Sequence, residues 1–515
     1  MRRRFLKAGA ALAAVGPALA RADEPRLWQG RELGPAPAVS DRLDQGPFGV
    51  EQDEGWYTIA TTTASSGRVR NPGLGFVGYT WEENGPSLAA RAGRETLEQS
   101  VEALAALPFV DVLYIRCDWR DVQSRPGRLD LHPVWALTRD AARRRGLRVA
   151  FRVQLSNPEI QPARLSLPEF LQAKVPLVTI RSASGRGPER VEPRYDHPEF
   201  QRAFRELDEL LAAELDPDPL VEFADLMMYG FWGEGHTSDY PSPIPDAALA
   251  ERTFLDMTER QLAAWRRVPL VVNTQPDISR TGNRAVLERA VRGGAWLRSD
   301  SVILDEPEQI EELAHRPPWL AVVMEDGYYR HYRTDAERYG VDAAGVDVIE
   351  HTMLHTLDLG ANYWSLWTEA ASLRRYREQR PAAFDALERR LGYRVRPSWV
   401  WQRKRSGQDE LVVAVFNDGA ASVPGILRVS AESRDGRVLA GGGLDAGHPY
   451  AGRVRLASLR LPAGLAGSEV RLRAGLELKG VRRSVRWACA QPLEADGAFV
   501  VRLKRWDDPD WRKGI

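Results

Sequence analysis

Two glutamates stand where apolar runs stop. Glu234 lies in "YGFWGEGHTSDYP", residues 229–241, among glycines and aromatics and at the end of "VEFADLMMYGFWG", and Glu325 closes "WLAVVME". A surface glutamate usually sits among Lys, Ser or Asp, whereas a carboxyl that ends a buried run is delivered into the fold. Two carboxyls facing each other across a ligand have a defined chemistry. One protonates the leaving oxygen of a glycosidic bond, and the other attacks carbon or activates water. The aromatic neighbours of Glu234 predict a desolvated carboxyl with a raised pKa that still holds its proton near neutrality. Glu325, with Arg116 near it, is expected to stay ionised.

The ends of the other strand-like runs add to the set. Arg116, Asp118 and Trp119 end the second run, and Gln154 ends the third with Asn157 close behind. Trp232 and His236 flank Glu234 at the fourth, and Asn273 and Gln275 end the fifth. Tyr328 and Tyr329 follow Glu325, and Trp364, Trp367 and Glu369 end the eighth. Carboxylates, amides, an arginine and flat aromatic faces are what a polyhydroxy ligand needs. The expected ligand contacts are therefore Arg116, Asp118, Trp119, Gln154, Trp232, His236, Asn273, Tyr328, Trp364 and Trp367. Asp326 rivals its neighbour Glu325, because side chains alternate about a strand. Glu369 is read as a helix cap, and Asp300 and Asp305 receive no role. "HTMLH" spaces His351 and His355 like metal ligands, but Thr352 stands where the zinc-protease pattern needs Glu. No metal site and no cofactor is expected. The sequence contains no phosphate-binding glycine loop, no dinucleotide fingerprint and no G-x-S-x-G elbow.

Eight β-rich runs could hold these residues, at 74–79, 110–116, 148–155, 221–231, 268–273, 299–304, 319–325 and 361–367. Helical stretches lie between them, such as "GRETLEQSVEALAALP" and "HPEFQRAFRELDELLAAEL", with apolar residues three and four apart. Eight alternations of strand and helix predict a (β/α)8 barrel, a mixed α/β fold, over residues 67–395, whose function collects at the carboxyl ends of its strands. Past "RLGYRVRPSWVW" short alternating strands predict an antiparallel β-sandwich over 396–515, read as a buttress for the barrel. Residues 23–66 read as an arm packed on the body. The Pro- and Arg-rich stretch from Asn157 to Pro198 is long for a connection and is read as a wall of the cleft.

Lys plus Arg balance Asp plus Glu at 71 each, so no basic field points to nucleic acid or anionic lipid. Sixteen tryptophans fit either core packing or sugar platforms. Arg2-Arg3-Arg4-Phe5-Leu6-Lys7, an apolar stretch and "ALARA" match a twin-arginine signal peptide over residues 1–22. The expected partners are the twin-arginine export machinery and a carbohydrate, and the expected destination is periplasmic or secreted. No later run is long enough to span a membrane after signal removal. Cys117 and Cys489 lie far apart and are not expected to pair.

From about residue 70 to 395 the chain resembles barrel glycoside hydrolases of the large retaining clan that includes β-galactosidases and cellulases. The likeness rests on "YIRCDWRDVQSRPGRLDL", "YGFWGEGH", "VVMEDGYY" and "YWSLWTE". It implies cleavage of β-linked glycosides with retention, Glu234 as acid/base, Glu325 as nucleophile, Arg116 as its orienter, and Trp364 or Trp367 as sugar platform. Gly233 stands where the clan usually places an Asn that holds the sugar 2-hydroxyl; Asn273 or Gln154 could make that contact. A non-catalytic carbohydrate-binding barrel is the alternative that this departure motivates.

Overall fold

The computed structural model describes residues 26–28, 31–33, 55–181, 189–236, 242–274, 283–299, 307–325, 347–366 and 368–508. The twin-arginine segment, much of the arm, and Gln275, Asp300, Asp305, Asp326, Tyr328, Tyr329 and Trp367 lie outside the described residues.

Eight parallel strands close on themselves: β1 Gly75–Trp81, β2 Val110–Asp118, β3 Arg148–Gln154, β4 Val221–Asp225, β5 Leu270–Asn273, β6 Trp296–Ser299, β7 Val322–Glu325 and β8 Tyr363–Leu366. Each neighbours the next in chain order, and β8 pairs β1. Helices follow every strand. They begin and end where local chemistry dictates. Thr96 and Gln99 form a reciprocal capping box ahead of Leu97–Ala105, and Pro198 sets the first turn of Pro198–Leu215. The helical stretches Pro307–Ala314, Ala370–Gln379 and Pro381–Arg390 complete the ring.

Two strand boundaries differ from the sequence reading. The sixth strand contains "WLRS", Trp296–Ser299, and of the expected 299–304 all but Ser299 lies outside the described residues. The fourth stops at Asp225 rather than running to 231, because Met227–Gly230 leaves the ladder. Both shifts change which residues face the barrel interior.

Strand alternation sorts the buried residues into two sets. Phe76, Leu113, Ile115, Val153, Met324, Trp364 and Leu366 face outward into the helix layer. Val77, Tyr79, Val112, Tyr114, Phe223, Val271, Trp296, Val323 and Tyr363 face inward, as a filled barrel requires. The inward set is continuous with the core of the second domain.

That domain has two antiparallel sheets. One contains Val395–Arg405, Gln408–Asn417 and Val454–Arg460; the other contains Ile426–Glu432, Val438–Gly443, Glu469–Leu478, Val481–Val485 and Phe499–Arg502. The strand-like part of the arm, Gly55–Thr61, joins the first sheet beside Val395–Arg405. This part of the arm is thus an edge strand of the sandwich. At the barrel floor, Glu222 accepts from Tyr363 Oη at 2.6 Å, Arg148 Nη1 at 2.5 Å, and Arg483 Nη1 of the sandwich at 2.5 Å. Cys117 and Cys489 are buried and unbridged. No helix among the described residues is long and apolar enough to cross a membrane.

Candidate active site

Charged side chains gather inside the barrel near the carboxyl ends of the strands. Arg116 of β2, Arg152 of β3, Asp225 of β4, Arg298 of β6 and Glu325 of β7 meet there, together with Glu234 from the loop after β4. Arg116 Nη1 donates to Glu325 Oε1 at 3.2 Å, and Arg298 Nη1 donates to Glu325 Oε2 at 3.2 Å. Arg298 grips Asp225 with two bonds, Nε to Oδ1 at 2.6 Å and Nη2 to Oδ2 at 2.8 Å. Arg152 Nη2 reaches Asp225 Oδ1 at 3.4 Å. Arg152 Nη1 and Arg116 Nη2 both donate to Glu234 Oε1. The six side chains therefore form a closed ring in which guanidinium and carboxylate alternate. Each charge has opposite neighbours on both sides, which is what makes six buried ions tolerable. Two groups hang from it. His236 Nε2 lies 2.9 Å from Glu234 Oε2, and Glu83 Oε1 lies 2.9 Å from Arg116 Nη1.

The glycines around Glu234 have a backbone explanation. Gly230, Gly233 and Gly235 have φ of 76°, 70° and 78°, the left-handed region that side chains disfavour. A Cβ on Gly230 would stand 2.8 Å from the carbonyl oxygen of His236. These turns fold the chain back so that Phe231 and His236 pair, Gly235 N–H donates to Tyr229 O at 2.9 Å, and Glu234 points into the ring. Trp232, also left-handed at φ 59°, is half-buried and stands edge-on to His236. The Gly233 position is thus occupied by backbone geometry. Asn273 Nδ2 donates to the Glu234 carbonyl at 3.2 Å and so braces this loop.

The expected protonation of Glu234 is corrected. Burial does push its carboxyl up, but Arg116, Arg152 and His236 outweigh burial and hold it well below the usual carboxylate range. The aromatic sequence neighbours are not what it faces. Glu83 differs: burial comes first, Arg116 opposes it, Glu234 and Glu325 add to it, and the result is a pKa of about 7.

Asp118 and Gln154 sit beside the ring in a separate buried cluster. Asp118 accepts from Ser166 Oγ at 3.0 Å, Asn157 Nδ2 at 3.4 Å and Gln154 Nε2 at 3.5 Å. Burial, with Asp121 nearby, raises it to about 7. Asn157 and Ser166 belong to the long connection, which packs on this side of the barrel mouth. Two expected ligand contacts are placed elsewhere. Trp119 turns out with the 3-10 turn Trp119–Asp121, bonds Gln123 through Nε1 at 2.9 Å and packs edge-on against Phe200. Trp364, 0% exposed, faces the helices between Phe76 and Phe384; on β8 it is Tyr363 and Ser365 that face inward. Both tryptophans pack in the core between the strands and the helices. Glu369 stands at the N-cap position of Ala370–Gln379 but makes no side-chain cap bond.

Sequence reasoning missed Glu83, Arg152, Asp225 and Arg298. All but Glu83 occupy inward parity positions once the strand ends are set correctly.

No family model matches the sequence, and no curated protein matches it. Solved structures to which the chain is similar include an exo-β-1,4-mannosidase, Op5Man5, from Opitutaceae bacterium strain TAV5, at 16% identity and TM-score 0.39 over 59% of this chain and 54% of that one. A GH5_18 protein from Streptomyces cattleya in complex with Manβ1-4GlcNAc matches at 17% identity and TM-score 0.36, over 57% and 71% of the two chains. Endo-glycoceramidase II from Rhodococcus sp. matches at 12% identity and TM-score 0.35, over 78% and 100%. The chain thus spans about half the length of the mannosidase. At these values the likenesses carry no weight for the chemistry, which rests on the barrel mouth itself.

Proposed function

We propose that the protein is an exported glycoside hydrolase that cleaves β-linked glycosides of an oligo- or polysaccharide with retention. One observation carries the reading: a single guanidinium, Arg116, bonds both Glu234 and Glu325 at the carboxyl ends of the barrel strands. Carboxyls assembled around one cation at this place are equipped for nucleophilic attack and proton transfer at one sugar. Glu325, held between Arg116 and Arg298, is the nucleophile, and Arg116 orients it. Trp232 and His236 border the mouth and contact the sugar. The twin-arginine pattern at residues 2–7 supports delivery to the periplasm or beyond.

A second reading, carbohydrate binding without cleavage, is favoured by the charge-closed ring, in which Arg116 and Arg152 both hold Glu234 Oε1. One assay separates the two: sugar release from a panel of glycans and aryl glycosides by the purified mature protein, run beside Glu234→Gln and Glu325→Gln. The hydrolase reading expects turnover by the native protein and a loss of about a thousandfold or more in Glu325→Gln, with a large loss in Glu234→Gln as the ring opens. Glycan binding with no release by any of the three supports the binding reading.

A further inference from the structure

At the barrel mouth the carboxyls outnumber the guanidiniums, and His236 meets only one of them, Glu234. Three guanidiniums, of Arg116, Arg152 and Arg298, face four carboxyls, of Glu83, Asp225, Glu234 and Glu325. The ring uses three of those carboxyls, each between two cations. Glu83 is the fourth. It meets Arg116 alone among these guanidiniums, and it shares one nitrogen of that group with Glu325: Nη1 is 2.9 Å from Glu83 Oε1 and 3.2 Å from Glu325 Oε1. Two oxygens on one nitrogen at these lengths stand no more than about 6 Å apart, a bound that admits the separation of about 5 to 5.5 Å at which a retaining carboxyl pair works.

Position also favours Glu83. It sits at the tip of the tight turn after β1, where Glu82 and Gly85 exchange backbone bonds at 2.7 and 2.9 Å, and Asn157 Nδ2 pins its carbonyl at 2.8 Å. Its side chain is 24% exposed, so it can meet a bound ligand and exchange its proton with water; Glu234 and Glu325 are both 2% exposed.

We propose that Glu83, and not Glu234, is the proton donor that works with Glu325, leaving Glu234 as a positioning residue that holds Arg116, Arg152 and His236 in place. The inference rests on the hydrolase reading. In the first half-reaction the bond from the anomeric carbon to the leaving oxygen breaks with its electron pair on oxygen. That oxygen takes the proton of Glu83 while a Glu325 oxygen bonds to the carbon. In the second half-reaction Glu83, now a carboxylate, takes a proton from water whose oxygen bonds to the same carbon. The ester to Glu325 then breaks, and both residues are restored. The groups facing Glu83 among the described residues are Arg116 from β2, Glu159 from the connection after β3, Glu234 from the loop after β4 and Glu325 from β7. Burial and the three glutamates win over the one arginine, so the proton leaves near pH 7.

The test compares Glu83→Gln with Glu234→Gln on two β-glycosides of whichever sugar the panel finds, one with an alkyl and one with a dinitrophenyl leaving group, with and without azide. The dinitrophenyl group departs without a proton. We expect Glu83→Gln to lose a hundredfold to ten-thousandfold on the alkyl glycoside, on the order of general acid catalysis, and far less on cleavage of the dinitrophenyl bond. Azide should speed turnover of Glu83→Gln and give the β-glycosyl azide, and the limb of the native pH profile near 7 should vanish. Circular dichroism melts of both variants, with Glu83→Ala as a second azide acceptor, separate chemistry from misfolding. Equal losses on both glycosides, or azide rescue in Glu234→Gln instead, overturn the proposal and leave the hydrolase reading standing. A native protein that cleaves no glycoside overturns both.

Discussion

A buried charge survives only with a partner, and the mouth of this barrel applies that rule six times over. Removing one cation from the ring takes from two carboxylates one of the two guanidiniums that each of them has. Arg298→Met would leave Asp225 without its two-pronged donor and Glu325 without one of its two guanidiniums. Replacing one member of a buried ion pair costs about 3 to 5 kcal/mol because the remaining charge is unpaired. Urea unfolding of the variant at pH 7 should show a loss of that size; a loss under about 1 kcal/mol would mean that the ring is not a set of paired ions. At this scale the sequence was half legible. Glu234, Glu325 and Arg116 stood out as lone charges at the ends of apolar runs. Arg152 and Arg298 did not, because an arginine inside "VAFRVQL" or "AWLRSD" reads as a strand edge unless its counter-charges are known, and those come from strands far away in the chain. Glu83 lay in a polar turn with nothing local to mark it.

The elements were more legible than the side-chain directions they impose. Hydrophobic period and turn chemistry located eight strands, yet parity within a strand decides whether a residue meets the ligand or the helices, and parity fails on an error of one residue. Trp364 shows the consequence. The resemblance to the glycoside hydrolase clan implies Trp364 or Trp367 as platform, but β8 turns Tyr363 and Ser365 inward and puts Trp364 against Phe76 and Phe384. The sixth strand differs in another way, since it already runs at Trp296–Ser299, ahead of the expected 299–304. The apolar "SVIL" outweighed the shorter "WLRS", although Trp296 and Arg298 are the pair that faces inward. Trp364→Ala should cost about 3 to 5 kcal/mol of stability, as large-to-small changes in an aromatic core do, and leave KM unchanged under conditions where the variant stays folded. Thermal melts and Michaelis kinetics together check this; a raised KM with unaltered stability would restore the platform.

At the scale of the whole molecule the two domains share one core, and a single carboxylate crosses the joint. Glu222 lies where β4 gains a residue against β3, Val149 facing Val221 and Ala150 facing Phe223, so both Glu222 and Phe223 serve the interior. Its oxygens take Gly73 N–H, Tyr363 Oη and Arg148 on the barrel side and Arg483 from the sandwich. Burial alone would raise this carboxyl; Arg148 and Arg483, then the bonds from Tyr363 and Gly73, reverse the shift and lower it. A carboxyl lowered on folding contributes stability above its unfolded value, about 4.3, and loses that contribution as pH falls through the folded one. Glu222→Gln, which leaves Arg148 and Arg483 short of a counter-charge, should therefore lower stability by about 3 kcal/mol near neutrality. The gap to the native protein should be flat from pH 6 to 8 and close as pH drops below about 4. Because one apolar cluster holds residues of both the barrel interior and the sandwich beside this charged joint, that loss should appear in one transition for both domains. Two separated melts, with only the sandwich shifted, would show that the shared core does not couple them.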